Sequence, residues 1–155
     1  MTSISYEEIF SSFLGNVTDY SLASMSATDA FEIMSEYLHK TIADPYVYRL
    51  FTELRLDDAE QELYYTLDNS VNEDMDREFV IGALSKWMVY EWLNKRVQSD
   101  TNIMQMISNK DVKWFSQHAH SEEVRGLRDD AYKAARFFIQ NAGYVSNSYL
   151  SGGAV

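Results

Sequence analysis

The chain has 155 residues, a formal net charge of −11 and no cysteine. This length fits a single domain that can bury a sizeable core, and the 46% share of hydrophobic residues excludes a disordered chain. The missing thiols exclude a disulfide scaffold, a cysteine nucleophile and a thiolate metal site. Tight nucleic-acid binding is not expected, because phosphate contacts need clustered lysine and arginine side chains.

The N-terminal sequence and the most apolar run bear on targeting. The first ten residues, MTSISYEEIF, contain no basic residue, so a secretory signal is not expected. The run FVIGALSKWMVYEWL is interrupted by Lys86 and Glu91, which makes a membrane span unfavourable. Together these features predict a soluble protein that does not contact a membrane and is made inside the cell.

Two helices are predicted before the middle of the chain. The first begins with a capping box formed by Ser5 and Glu8 and ends near Gly15, where the apolar stripe stops. The second begins after Ser26 or Thr28 and ends before the chain's single proline. A short helical turn is expected over residues 46–51.

The segment 52–71 supports two interpretations. Asp57 and Glu60 could cap a helix that begins at Asp58. The alternation of large residues over 63–67 is instead typical of a strand. We interpret the segment as helical, because the segments on either side of it are helical.

A long central helix is predicted over residues 72–98. Asn72 is a candidate N-cap, acidic residues follow it, and basic residues lie near the other end, as the helix dipole favours. Two overlapping apolar stripes cover most of the helix circumference, so neighbouring elements must pack on several of its sides. Trp87 and Trp92 are therefore predicted to be buried.

The C-terminal third is predicted to contain one more helix. Residues 99–120 show little periodicity and are expected to form a connection, with a short extended piece at 111–115. The helix follows over 121–142, and Gly143 is expected to end it. Residues 144–155 carry no helical stripe and are predicted to be an extended tail.

The expected fold class is therefore all-α. The helices should form a small bundle around the long central helix. The predicted domain organisation is a helical bundle over residues 1–143 and an extended C-terminal docking tail over residues 144–155.

Catalytic and metal-binding patterns are weak in this sequence. His118 and His120 with Glu122 or Glu123 could offer three ligands to zinc, but a structural zinc site normally uses four, so a polar loop is the preferred interpretation. His39 is expected to lie on the surface. No nucleophile elbow, phosphate-binding glycine loop or paired-histidine protease motif occurs. The expected protein is not an enzyme and binds no cofactor and no metal.

Some large apolar side chains fall outside the helical stripes, in the predicted connection and tail. Such groups need a partner surface in order to be buried, although folding back onto the same domain would also bury them. The candidate partner-docking residues are Tyr144, Val145, Tyr149, Leu150, Trp114 and Phe115.

The order of several segments resembles a known family. The segments are YEEIFSSFLGNVTDY, DPYVYRLF, VNEDMDREFVIGALSKWMVYEWLN, DVKWFSQ and NAGYVSNSYL. In this order they resemble the head–tail adaptor, or connector, neck proteins of long-tailed phages (siphophages). The resemblance implies a structural virion protein whose copies form a ring between portal and tail, with a dodecamer as the candidate assembly.

The resemblance also implies partners and a location. DNA would pass through the ring, whose acidic surface would repel it. The C-terminal segment would dock on the portal protein or on further neck or tail proteins, in the neck of a virion assembled in the host cytoplasm. The alternative is an acidic helical regulatory protein that binds a host protein as a DNA mimic. An adaptor would be present in many copies per virion, whereas a regulator would be present in few copies in the infected cytoplasm.

Overall fold

In the computed structural model, helices pack against one face of a small sheet. The structure describes residues 1–17, 19–107 and 114–145. The elements, in chain order, are β1 (Thr2–Ser5), α1 (Tyr6–Gly15), α2 (Tyr20–Ser24), α3 (Ala27–Ala43), α4 (Pro45–Tyr48), β2 (Phe51–Asp57), β3 (Glu62–Leu67), α5 (Glu73–Ile107) and α6 (Trp114–Val145).

A three-stranded antiparallel sheet makes the fold mixed α/β, so the all-α prediction is wrong. The strand order is β1-β3-β2. Strands β2 and β3 form a hairpin in which Leu56 lies opposite Leu63. Strand β1 pairs with the other edge of β3 and places Thr2 opposite Tyr65. The segment 52–71, expected to be a helix, therefore contains most of a β-hairpin. The third strand of the sheet, β1, comes from the N-terminus.

The alternation along β3 explains this correction. Leu63, Tyr65 and Leu67 are buried, while the residues between them are partly exposed, as expected for a sheet with one covered face. Asp57 does not cap a helix. Its carboxylate instead accepts a hydrogen bond of 3.2 Å from the backbone N–H of Glu60 in the hairpin turn.

Local capping signals correctly predicted the ends of the early helices. Ser5 and Glu8 form the predicted capping box of α1, which ends at Gly15. Ser26 caps α3, since its hydroxyl accepts from the N–H of Asp29 at 3.2 Å. In each case the side chain satisfies a backbone N–H group that has no partner within the helix.

The two longest helices extend well beyond their predicted ranges. Helix α5 has 35 residues and α6 has 32. Most of the connection expected over 99–120 is helical, and α6 begins at Trp114. At its other end α6 continues past Gly143 to Val145, so the predicted glycine stop is wrong.

The core lies where α5 crosses the other helices. Helices α5 and α6 run antiparallel, because Phe79 stacks on Phe138 whereas Trp87, further along α5, contacts Tyr132. Trp87 is fully buried and Trp92 is 8% exposed, which confirms the prediction for both side chains.

Gly82 allows α6 to approach α5 closely, and its replacement gives a testable prediction. A methyl group at this position would lie 2.7 Å from the ring of Phe138, which stacks on Phe79 at 5.7 Å between ring centroids. We expect Gly82→Ala to destabilise the fold by about 1 kcal/mol, because displacement of the ring outweighs the better helix propensity of alanine. Chemical denaturation would measure this loss.

The matched control for Gly82 removes the obstructing ring. In a Phe138→Ala background, Gly82→Ala is expected to stabilise the protein by up to about 1 kcal/mol, since only the helix propensity term remains. The same effect in both backgrounds would show that the close approach has no energetic role.

Candidate functional site

Four of the six predicted docking residues lie at the two ends of α6. Trp114 and Phe115 are its first two residues, and Tyr144 and Val145 are its last two. With a rise of 1.5 Å per residue, a 32-residue helix separates these pairs by roughly 47 Å. One copy therefore does not bring them into a single surface. The other two predicted docking residues, Tyr149 and Leu150, lie outside the described residues.

A large apolar groove lies at the C-terminal end of α6. Its volume is about 700 Å³. It forms where the link between α4 and β2, the end of β3, the start of α5 and the end of α6 meet. The lining residues are Arg49, Leu50, Leu67, Asp68, Asn69, Val71, Asn72, Met75, Asp76, Phe79, Phe138, Ile139, Asn141 and Ala142. We call this the α6 groove.

Two large side chains of the α6 groove are strongly exposed. Val71 is 66% exposed and Met75 is 63% exposed. Phe137, which precedes the lining residue Phe138 on α6, is also 63% exposed. Large apolar groups that gather around one groove are typical of a surface that binds another molecule.

A hydrogen-bonded loop fixes one wall of the α6 groove. The buried carboxylate of Asp76 accepts hydrogen bonds from the hydroxyl of Ser70 and from the backbone N–H of Val71, the latter at 2.9 Å. Asn72 acts as the predicted N-cap of α5, since its side-chain oxygen accepts from the N–H of Met75 at 2.9 Å. Hydrogen bonds within the chain therefore hold this wall of the groove in place.

A second, smaller cleft of about 310 Å³ contains a polar cluster. The hydroxyl of Tyr6 donates to Oδ1 of Asp58 at 2.7 Å, and Nε2 of His39 lies 3.0 Å from the same oxygen. His39 lies on the surface, as predicted, and the cluster joins the hairpin turn to α1 and α3. Burial and the Asp58 hydrogen bond raise the pKa of the Tyr6 hydroxyl, while the same hydrogen bond lowers the pKa of the Asp58 carboxyl.

This cluster predicts a component of acid sensitivity. The pKa of Asp58 is lowered from its ordinary value of 3.8, so the carboxylate contributes stability above that value and loses it as the pH falls through the lowered pKa. We expect Asp58→Asn to lose less thermal stability than the unaltered protein between about pH 5 and pH 2. Tyr6→Phe, which removes the same hydrogen bond from the other side, should act in the same direction. Equal acid losses in all three proteins would contradict this role.

A metal site requires several histidine or carboxylate side chains close together. Within 1–17, 19–107 and 114–145, no three histidine or carboxylate side chains are close enough together to hold a metal ion. His120 is exposed and lies inside α6, so the polar loop expected around it is a helix. The side chain of His118 lies outside what the structure describes.

The α6 groove could not be predicted from the sequence, because three stretches far apart in the chain form it together: residues 49–50, 67–79 and 138–142. Met75 also falls on one of the two apolar stripes of the central helix, where burial is expected, yet it is 63% exposed. One signal was present: Phe137, Phe138 and Ile139 are consecutive, and three adjacent apolar residues cover more of a helix than one buried stripe needs.

Neither a membrane-spanning helix among the described residues nor a similar known protein helps to assign a function. In the described ranges, no helix is both long and apolar enough to cross a bilayer. No protein-family model, curated protein or solved structure is found to match the chain.

Proposed function

We propose that the protein is a structural virion protein: a head–tail adaptor whose copies form a ring between the portal and the tail of a long-tailed phage. DNA would pass through this ring. The sequence resemblance suggests the assembly, and the α6 groove is the structural observation that supports it. A preformed apolar groove on a strongly acidic chain is suited to binding a protein segment, which is the task of an adaptor.

The groove has the features of a peptide-binding surface. Its floor consists of aromatic and aliphatic side chains such as Leu50, Phe79 and Ile139. Asn69 and Asn141 lie among the polar lining groups, and their amides can pair with the backbone of an extended segment. An apolar floor with a few polar groups at the edge is the usual composition of a protein docking site.

The charge distribution supports a ring that does not grip DNA. Several basic side chains already form ion pairs with neighbouring carboxylates. These pairs are Arg77–Glu8, Lys40–Glu36, Arg55–Asp57 and Arg128–Asp129. Since these basic groups are locally neutralised and the net charge is −11, a surrounding surface would repel phosphates and let DNA slide past.

The charge gives a direct prediction for nucleic acid. We expect no stable duplex binding at physiological salt, because binding depends on cations that replace the phosphate counterions. Fluorescence anisotropy of a labelled duplex, titrated with the protein at several salt concentrations, would measure this. Micromolar binding that weakens steeply with added salt would contradict the prediction and indicate a basic surface formed by the assembled protein.

The proposed function is tested by locating the protein in the virion. We expect quantitative mass spectrometry of purified particles to find the protein in many copies per virion, and cryo-electron microscopy to place it as a ring between portal and tail. A protein confined to the infected cytoplasm in few copies would overturn the proposal. That result would favour the acidic regulator instead.

A further inference from the structure

We propose that the α6 groove of one copy binds residues 146–150 of the next copy, with Tyr149 and Leu150 on its apolar floor. This inference rests on the proposed function, since it identifies the contact that joins neighbouring copies in the ring. The occupant is a second copy of this chain. There are two alternatives: the segment binds the groove of its own chain, or a different protein occupies the groove. The experiment below tests both.

The size of the groove fits two large side chains. A volume of about 700 Å³ lies within the range of roughly 300–1,000 Å³ that is usual for pockets enclosing a bound ligand. An aromatic ring would pack against the stacked pair of Phe79 and Phe138, whose ring centroids are 5.7 Å apart. The exposed Met75 at the edge would adapt to the inserted side chains, because methionine is flexible and polarisable.

Charge selects the segment that can bind there. The groove is lined by the carboxylates of Asp68 and Asp76 and by one cation, Arg49. Since carboxylates outnumber the cation and each copy has a net charge of −11, a strongly acidic segment would be repelled. No charged side chain occurs after Arg136. Residues 137–155 are therefore the longest stretch of the chain without a charged side chain, and they offer large apolar groups to another copy without adding like-charge repulsion.

The course of α6 favours a neighbouring copy over the same chain. Ala142 lines the groove, but the helix does not stop at Gly143 and instead continues to Val145. The chain therefore passes its own groove in a helix and leaves it along the helix axis. Residues 146–150 follow a helix that has already passed the groove, so they would have to reverse direction to reach their own groove, whereas the groove of another copy imposes no such reversal.

Such a contact would also explain ring formation. The groove and the segment are different surfaces, so each copy donates a segment to one neighbour and receives one from the other. A head-to-tail interface of this kind closes into a ring when its rotation permits. The proposal therefore names one physical contact that repeats around the assembly.

Engineered cysteines test the contact directly, because the chain contains no cysteine of its own. One full-length variant carries Leu150→Cys and the other carries Met75→Cys at the groove. After the two are mixed and oxidised, we expect a disulfide-linked dimer. The matched control replaces Met75→Cys with Leu127→Cys. Leu127 is exposed like Met75, but it lies on α6 outside the groove. The control should give at least about tenfold less dimer, in line with a clear preference for one site.

The alternative outcomes have distinct products. A double variant carries both Leu150→Cys and Met75→Cys on one chain. If it forms a disulfide within the chain while the mixed single variants do not link, the segment binds its own groove and the proposal is overturned. Equal yields for the groove and control pairs, or no linked product, would also overturn it. Tyr149→Ser with Leu150→Ser provides a second measurement: ring size by mass photometry should fall to that of single copies while the melting temperature stays unchanged.

The result also separates this inference from the proposed function. If chains with Tyr149→Ser and Leu150→Ser still form rings, the groove contact is wrong even if the protein is a virion component. If the cysteine pair links as expected but the protein is missing from virions, the contact between copies stands and the adaptor function fails.

Discussion

Replacing Trp87 with alanine is expected to lower the free energy of unfolding by about 3–5 kcal/mol, the usual range for emptying a large core site. Trp87 is fully buried where α5 meets α4 and α6. Its ring stacks on Tyr46 at 5.5 Å and meets the edge of Tyr132 at 5.7 Å between centroids. Alanine would leave a cavity at the meeting point of three helices. Urea denaturation followed by far-ultraviolet circular dichroism would measure the loss.

Two further substitutions make this test specific. Trp92→Ala is expected in the same range, because the side chain is buried and its Nε1 donates to the carboxylate of Asp19 at 2.7 Å. Tyr48→Ala, at an exposed position, should change stability by less than about 0.5 kcal/mol. A loss below about 1 kcal/mol for either tryptophan would show that it faces solvent or a partner rather than the core.

Features that depend on neighbouring residues could be predicted from the sequence. The capping box of Ser5 and Glu8 lies within four residues, and the Ser26 cap with Asp29 does as well. The central helix was recognised because apolar residues cover most of its circumference. These signals are complete within a single turn or a single helix, so no knowledge of the rest of the fold was needed.

Features that depend on distant segments could not be predicted in this way. The hairpin of β2 and β3 gains a third strand from the N-terminus, where Ile4 pairs with Leu63. The local alternation over 63–67 indicates a strand, and β3 forms there, whereas the helical segments on either side favour a helix. Three paired strands with one covered face are more stable than a lone hairpin, so the partner strand decides the outcome.

The ends of α5 and α6 could not be predicted from apolar periodicity alone. Apolar periodicity reports which helix face is covered, and it fades where a helix leaves the core. After the buried Val97, the next residues Gln98 and Ser99 are exposed although α5 continues to Ile107. Gly143 does not end α6 either, because the helix continues to Val145. The α6 groove lies between the end of β3 and the end of α6. An all-α interpretation has no strand at 62–67, so it cannot place this groove.

Removing residues 146–155 is expected to abolish incorporation of the protein into phage heads while leaving its thermal unfolding nearly unchanged. The truncation point follows from the structure: Tyr144 and Val145 belong to α6, so a deletion that spares the helix starts at residue 146 rather than at the predicted tail boundary, 144. The described core ends at Ile139, so the deletion removes none of its buried side chains.

The expected loss of incorporation follows from the docking role proposed for Tyr149 and Leu150. Differential scanning calorimetry would compare the melting temperatures, and quantitative mass spectrometry of purified particles would count copies. Full-length protein with Tyr149→Ser and Leu150→Ser is the matched control, because it keeps the length of the segment while removing its large apolar groups. A truncated protein that melts much earlier would make the segment an internal clamp. A truncated protein that enters virions at normal copy number would show that assembly depends on other surfaces.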